Sequence, residues 1–170
     1  MNAGAYGREW RDVLIDAVVV DADGPRTLTA EQLDLSYRHS GLVAGDVVAQ
    51  VRFQLEPSTP QAVKSKVAEL LAQRKSTQPT NKRTFGSVFK NPSPELGAGR
   101  AIEECGLKGH EIGGALISPR HANFIENAGQ GTSADCIALM AEARRRVHER
   151  FGVELEHEVQ FLGPLELPPL

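Results

Sequence analysis

The 170-residue sequence has neither a long apolar segment nor an excess of charge of one sign. No apolar run approaches the roughly 20 residues that a membrane-spanning helix requires, and the N-terminus lacks the apolar core of a signal peptide. The net charge is -3, with acidic and basic residues mixed along the chain. Such a balance argues against general nucleic-acid binding and against a polybasic membrane surface. We therefore predict a cytoplasmic protein with no membrane partner and no nucleic-acid partner.

Patterns of metal ligands are also missing. Cys105 and Cys136 are too far apart for a CxxC motif, and the five histidines show no ligand spacing. Two reduced, half-buried thiols are the plain interpretation in a cytosolic protein. We predict no metal site.

The chain is 41% apolar, which suffices for one domain with a core, or for one domain plus a piece of another. A β-branched run at residues 13–20 predicts a strand, and strict alternation at 47–56 predicts a half-buried strand. Pro60 begins an amphipathic helix that runs to about Lys75. Thr132 and Asp135 form a capping-box pattern at the start of another helix. We also expect a helix at 97–105, a strand at 113–117 and a last strand at 153–162.

The stretch from Gly86 to Pro92 combines strand formers with chemically active side chains. A glycine before Ser87 allows the backbone to approach a bound molecule closely. Lys90 and Asn91 can donate hydrogen bonds to an anionic or sugar-like ligand. The alternative is an ordinary edge strand that ends at the proline.

Three other groups of polar residues have two interpretations each. Arg38 is either a surface guanidinium or a fixed donor for a carboxylate or phosphate. The basic residues Lys75, Lys82 and Arg83 belong either to a solvated loop or to a clamp over a diphosphate. The carboxylates at 154, 156 and 158 are either the wet face of a strand or, in a cleft, a source of an acid with a raised pKa.

Six short segments, in order and over nearly the whole chain, resemble the C-terminal half of the UDP-N-acetylenolpyruvoylglucosamine reductase (MurB) family. They are MNAGAYG at 1–7, SYRHS at 36–40, GSVFKNP at 86–92, GLKG at 106–109 followed by GGA at 113–115, HANFIEN at 121–127 and FGVELEHEV at 151–159. The resemblance implies an FAD enzyme that takes hydride from NADPH and reduces UDP-N-acetylglucosamine-enolpyruvate, the UDP-N-acetylmuramate dehydrogenase of peptidoglycan precursor synthesis.

The resemblance also implies roles for individual residues. Ser87 would donate a proton to the reduced substrate, and Arg38 and Glu158 would stabilise its enol-like intermediate. Two departures concern the segment that carries Glu158: His157 replaces the usual proline, and Gln160 replaces a frequent arginine. The implied substrate-binding residues are Asn91, Lys90, Lys75 and Tyr37. The implied cofactor-binding residues are Asn2, Ala3, Gly4, Tyr6 and Gly7.

The resemblance further implies an α+β fold, in which helices of a substrate-binding domain pack on a mixed sheet, preceded by the tail of an FAD-binding α+β domain. The expected boundaries are residues 1–57 for the tail of the FAD-binding domain, 58–163 for the substrate-binding domain and 164–170 for a disordered tail. The missing N-terminal FAD-binding half is expected in cis, and apolar surface meant for it is expected near Met1 and the first strand. The alternative function is a non-catalytic UDP-sugar-binding module that cannot hold a flavin.

Overall fold

The β-branched run near the N-terminus forms the central strand of an antiparallel sheet, because branched side chains favour extended backbone. The computed structural model describes residues 1–170 and divides into two units, Met1–Pro60 and Gln61–Leu170. The first unit contains β1 (Gly4–Ala5), β2 (Arg8–Glu9), a 3-10 helix (Trp10–Asp12), β3 (Leu14–Asp21), β4 (Gly24–Thr29) and β5 (Val47–Phe53). β1 pairs with β2, and a second sheet has the order β4-β3-β5.

The first unit has a small core and much exposed apolar surface. The buried apolar side chains are those of Leu14, Ala17, Val19 and Leu33. The prediction of a half-buried β5 is wrong, since its residues are exposed except for a half-buried Val51. β5 is an edge strand, and the other elements of its unit leave both of its faces exposed. The exposure expected near the N-terminus is present, at 54% for Met1 and 42% for Ile15.

The second unit combines helices with a four-stranded sheet. Its elements are α1 (Pro60–Thr77, starting at the boundary residue), β6 (Thr84–Ser87), α2 (Ala98–Glu104), β7 (Glu111–Ile112), β8 (Ala115–Ile117), β9 (Phe124–Asn127) and α3 (Ser133–Phe151). The strand order is β6-β9-β8-β7. The α+β class is confirmed, but every strand pair is antiparallel, not mixed. Short links such as the two residues between β7 and β8 permit only antiparallel neighbours.

The core of the second unit lies where α3 packs against β7 and β8 and where α2 packs against α3. Its largest fully buried side chains include those of Ile102, Ile117, Leu139, Met140 and Leu155. The predicted helices at 97–105 and after Thr132 are therefore confirmed as α2 and α3.

The start of α3 confirms the capping box. The Thr132 hydroxyl oxygen accepts from the Asp135 backbone N–H at 3.2 Å, and the Asp135 carboxylate accepts from the Thr132 N–H at 2.8 Å. Two N–H groups that the first helical turn leaves without backbone partners are thereby satisfied.

α1 forms where the sequence predicts it, but its apolar stripe is not buried. Val63, Val67 and Leu71 are each about half exposed, at 50%, 50% and 51%. None of the α1 residues is buried. The 3.6-residue period determines which side chains share a helix face, but not whether another element covers that face.

The predicted last strand at 153–162 is wrong. The segment makes one isolated antiparallel bridge, between His157 and Phe89. Two backbone hydrogen bonds flank this bridge, from the Glu158 N–H to the Val88 carbonyl and from the Lys90 N–H to the Glu156 carbonyl, both 2.8 Å.

The ladder around this bridge cannot extend in either direction. Beyond Lys90, the next donor on that edge would be Pro92, which has no N–H. Before Val88, Gly86 has a φ of 87°, which is left-handed backbone and not extended strand. The alternation of apolar and polar residues in this segment therefore reflects the burial of Leu155 and the partial burial of Val153, Val159 and Phe161, without strand pairing.

The residues after Gly163, expected to be a disordered tail, belong to the second unit and contact its core. Leu167 packs against the core, and the Pro168 carbonyl accepts a hydrogen bond from Arg144 at 2.7 Å. Among the helices of the structure, none has the combination of length and apolar character needed to span a bilayer.

Candidate functional site

The segment after β6 places polar side chains between buried apolar anchors. Val88 and Phe89 are fully buried in the core, whereas Ser87 is exposed and Lys90 is half-buried. The Val88 N–H donates to the Asn123 carbonyl at 2.9 Å, and on the other side the Val88 carbonyl accepts from the Glu158 N–H at 2.8 Å. The segment is thus held by backbone hydrogen bonds on both edges.

Ser87 and Glu158, the two predicted catalytic residues of the second unit, lie on neighbouring backbones. The Glu158 N–H donates a hydrogen bond to the carbonyl of Val88, the residue that directly follows Ser87. Glu158 is half-buried, in an extended segment anchored by the buried Leu155. The structure therefore places the backbones of these two segments side by side, although 70 positions separate Val88 from Glu158 in the chain.

Lys90 is paired within the chain. Its ammonium group forms an ion pair with the Glu156 carboxylate, and only 23% of the Lys90 side chain is exposed. The carboxylates at 154, 156 and 158 therefore do not form a cluster of unpaired negative charges, because Glu156 is paired with the Lys90 ammonium group.

Asn91 also has a structural contact. Its side-chain oxygen accepts a hydrogen bond from the Ala98 backbone N–H at 3.0 Å, at the first residue of α2. The N-cap residue of that helix is Gly97, which has no side chain to provide this contact. Although Asn91 does not occupy the N-cap position, its side chain satisfies a backbone N–H in the first turn of α2, as an N-cap side chain does.

Lys75 lines a cleft of about 450 Å³ in the second unit, here called the basic cleft. Its lining includes three cationic side chains and no carboxylate. The lining includes Arg74, Lys75 and Lys82 as the cations, and Thr84 and Gly86 from β6. The cleft thus joins the end of α1 to the start of the Ser87 segment. A Cβ atom on Gly86 would meet nothing within 4 Å, so its left-handed backbone, and not close packing, requires glycine there.

In the first unit, Tyr37 and Arg38 form a tight loop. An isolated bridge joins Ser36 to His39, and Arg38 has a φ of 52°. The Arg38 guanidinium lies over the Tyr37 ring, 4.9 Å from its centroid, in a cation–π contact. Arg38 is half-buried.

The N-terminal loop packs against the loop of Tyr37 and Arg38. The buried Asn2 side chain donates to the Ser36 carbonyl at 3.1 Å and accepts from the Arg11 N–H at 3.0 Å. A Cβ atom on Gly4 would lie 2.9 Å from Glu9 Cγ and 3.6 Å from Arg38 Nη1. Asn2 and Gly4 are therefore already used to build the loop.

The remaining predicted cofactor residues, Ala3, Tyr6 and Gly7, are exposed. Their role in cofactor binding stays a prediction.

Two of the side chains near the core whose pKa is shifted are thiols. Burial raises the pKa of both Cys105 and Cys136. Both cysteines are half-buried, as predicted, and a thiol with a raised pKa is a weak nucleophile at neutral pH.

Two polar residues with structural roles were not predicted. Arg144 is buried and forms an ion pair with Glu154. Asn123 is buried and bonds to the backbone of Phe89. The only available signal was a carboxamide between the apolar residues at 122 and 124.

The comparisons with known proteins agree on one family. The family model for the UDP-N-acetylenolpyruvoylglucosamine reductase C-terminal domain matches residues 78–162. The UDP-N-acetylenolpyruvoylglucosamine reductase of Anaeromyxobacter dehalogenans is 46% identical over 169 residues, which cover 99% of this chain and 50% of that protein. The protein of the same name from Agathobacter rectalis is 44% identical over 165 residues, covering 96% and 52%.

A crystal structure of UDP-N-acetylenolpyruvylglucosamine reductase from Thermus caldophilus matches with a TM-score of 0.79 and 38% identity, covering 94% of this chain and 57% of that chain. The chain thus spans about half the length of the curated relatives it matches. From the matched domain and these relatives, we conclude that the chain belongs to the UDP-N-acetylenolpyruvoylglucosamine reductase (MurB) family and contains that family's C-terminal domain.

Proposed function

We propose that this chain is the substrate-binding part of a UDP-N-acetylmuramate dehydrogenase, which uses NADPH and FAD to reduce the enolpyruvyl group of UDP-N-acetylglucosamine-enolpyruvate. Residues 1–57 would then be the tail of the FAD-binding domain and 58–163 the substrate-binding domain. The observation that carries the proposal is the hydrogen bond between the Glu158 amide and the Val88 carbonyl, which keeps Glu158 beside the Ser87 segment.

The reaction requires a proton donor and a stabiliser of negative charge. When bound, the flavin supplies hydride to the β-carbon of the enolpyruvyl group. Negative charge then develops on the α-carbon and its carboxylate, and the α-carbon needs a proton.

Ser87 is the proposed proton donor to the α-carbon. A serine hydroxyl is a weak acid, so it works only against a strongly basic carbanion and with a cation nearby to stabilise the alkoxide. Lys90 is the cation of the same segment, held by its ion pair with Glu156. Solvent then returns the proton to the serine.

Glu158 is proposed to stabilise the enol-like intermediate through its carboxyl group. The partial burial of Glu158 and its backbone anchor support a fixed direction for that group. The same role stays a prediction for Arg38, which belongs to the first unit.

The basic cleft is proposed to bind the diphosphate of the substrate. Arg74, Lys75 and Lys82 provide three positive charges without a competing carboxylate in the lining. Phosphate oxygens accept charge-assisted hydrogen bonds from such side chains. Asn91 and Tyr37 stay proposed substrate contacts, and Ala3, Tyr6 and Gly7, on the loop that Asn2 and Gly4 build, are proposed to contact the flavin.

The decisive experiment is Ser87→Ala in a full-length enzyme, in which this chain follows an FAD-binding half. We expect NADPH to reduce the flavin at the parent rate, while reoxidation by the substrate slows by roughly 10²-fold or more. Ser133→Ala is the matched control, since Ser133 is an exposed residue at the start of α3. If Ser87→Ala supports both half-reactions at parent rates, the proton-donor role is wrong.

A non-catalytic UDP-sugar-binding module is the second candidate, and the position of the basic cleft within the second unit favours it. A visible absorption spectrum of the purified 170-residue chain separates the two. Bound yellow flavin supports the reductase. Colourless protein whose Tm rises with UDP-N-acetylglucosamine supports the binding module, since a ligand that binds only the native state stabilises it.

A further inference from the structure

The buried carboxamide of Asn123 satisfies both backbone groups of Phe89. The Phe89 N–H donates to Asn123 Oδ1 at 2.9 Å, and Asn123 Nδ2 donates to the Phe89 carbonyl at 2.8 Å. Asn123 is only 5% exposed. The orientation of the amide follows from the chemistry of the two partners, because an N–H needs an acceptor and a carbonyl needs a donor.

This contact replaces strand pairing at a point where the ladder fails. The register between β6 and β9 shifts between Thr84 and Ser87. β9 begins at Phe124, and the chain before it turns back, with the Phe124 N–H bonded to the His121 carbonyl. No β9 backbone therefore lies opposite Phe89, and without Asn123 the buried N–H and C=O of Phe89 would lack these partners.

Ser87 lies two residues before Phe89, whose backbone N–H and carbonyl are both held by Asn123. We infer that Asn123 is a positioning residue for Ser87: by holding the Phe89 peptide against the turn that precedes β9, it sets the direction of the serine hydroxyl beside the segment of Glu158. The inference rests on the proposed function of Ser87. It adds a residue that touches neither substrate nor cofactor, and it acts only through the backbone of residues 87–89.

The test is Asn123→Asp in the full-length enzyme. An ionised carboxylate can accept from the Phe89 N–H but cannot donate to its carbonyl, and the two oxygen atoms repel. A protonated carboxyl can do both, as the carboxamide does. Burial and the facing carbonyl raise the pKa of such a group, so the defect is expected to disappear as the pH falls.

Asn127→Asp is the matched control. Asn127 is the last residue of β9, the strand that Asn123 precedes, and its side-chain nitrogen also donates to a backbone carbonyl, that of Gly131. Its side-chain hydrogen bonds stay within the loop before α3.

The pH profile must be read against the other titratable groups near the carboxamide. These are His121, whose ring nitrogen accepts from the Asn123 N–H, and Lys90, Glu156 and His157 on the segments beside Phe89. All of them are present in the parent enzyme. The ratio of variant to parent rates at each pH therefore removes their own titration.

For Asn123→Asp at high pH, we expect the substrate-driven reoxidation of the flavin to fall about 10- to 100-fold. At low pH the rate should return to within a few-fold of the parent. Reduction of the flavin by NADPH should not change, and Asn127→Asp should follow the parent throughout. A parent-like rate at every pH, an equal loss at every pH, or a parallel loss of flavin reduction would overturn the inference.

A second measurement is independent of catalysis. Repulsion from the Phe89 carbonyl should displace the ionised side chain of Asn123→Asp and so also free the Phe89 N–H. In the 170-residue chain, amide hydrogen exchange at Phe89 should therefore be faster in the variant than in the parent at high pH, and should regain protection at low pH. If the variant unfolds at high pH, circular dichroism must show it refolding as the pH falls; failure to refold overturns the inference. If Ser87→Ala proves harmless, the proposed function fails, whereas the exchange result still decides whether Asn123 clamps Phe89.

Discussion

Gly114, in the turn between β7 and β8, lies directly against the loop before α3. A Cβ atom at this position would lie 2.4 Å from the Gly131 nitrogen and 2.6 Å from the Gln130 carbonyl carbon. Both contacts are backbone atoms, which cannot rotate away as the end of a side chain can. The Gly114 carbonyl also accepts from the Ala128 N–H at 3.0 Å, so the two loops are joined by hydrogen bonding as well.

The mutation Gly114→Ala must therefore push two backbones apart by about 1 Å to reach an ordinary contact distance. Overpacking of this kind costs about 1–3 kcal/mol, and the rigid neighbours indicate the upper part of that range, about 2–3 kcal/mol. For a chain of this length, the free energy corresponds to a fall in Tm of roughly 4–12 °C. The reciprocal mutation Gly131→Ala should cost a similar amount, because its Cβ would lie 2.7 Å from the Gly114 carbonyl oxygen.

Gly109→Ala is the matched control in the same unit. Gly109 has a φ of 76°, and a Cβ there would meet nothing within 4 Å, so only the left-handed backbone is penalised, at about 1 kcal/mol. The assay is urea denaturation of the three variants, followed by far-ultraviolet circular dichroism. If Gly114→Ala is no less stable than Gly109→Ala, the close approach of the two loops is not present in solution.

Two further predictions concern stability. Leu155→Ala should lower the free energy of unfolding by about 2–5 kcal/mol, because Leu155 is buried in the core; Leu162→Ala, at an exposed position, is the control, and equal effects would contradict the packing. Hydrogen bonds from Arg52 lower the pKa of Asp16 below 3.8. The folded state thus favours the ionised form, and this stabilisation is complete above the unfolded-state pKa of about 3.9 and is lost as the pH falls through the lowered value. Thermal unfolding against pH should show a loss below about pH 4 that Asp16→Asn reduces; an identical profile in the variant would exclude the pairing.

Local patterns predicted the helices well and the strands less well. The capping box at Thr132 and the apolar period that follows it specify α3 within a few residues of chain, because their hydrogen bonds and side-chain contacts are local. The segment at 153–162 alternates between more and less buried side chains, as a strand does, but it lacks the predicted strand pairing. Pairing depends on the donors of the opposite edge, and Pro92 removes one of them. The stripe of α1 likewise predicted a helix but not the exposure of Val63, Val67 and Leu71.

By itself, the sequence determined the start of each long helix and the motif that contains Ser87, because these depend on residues within one or two turns of one another. The α+β class followed from the resemblance of six short segments to a known family. The tertiary structure alone decided the partners within the candidate site. The contact between Asn123 and Phe89 joins residues 34 positions apart, and the ion pair between Lys90 and Glu156 joins residues 66 positions apart. Neither spacing carries a local signal, since such contacts exist only after β6, β9 and the segment of Glu158 have come together around one core.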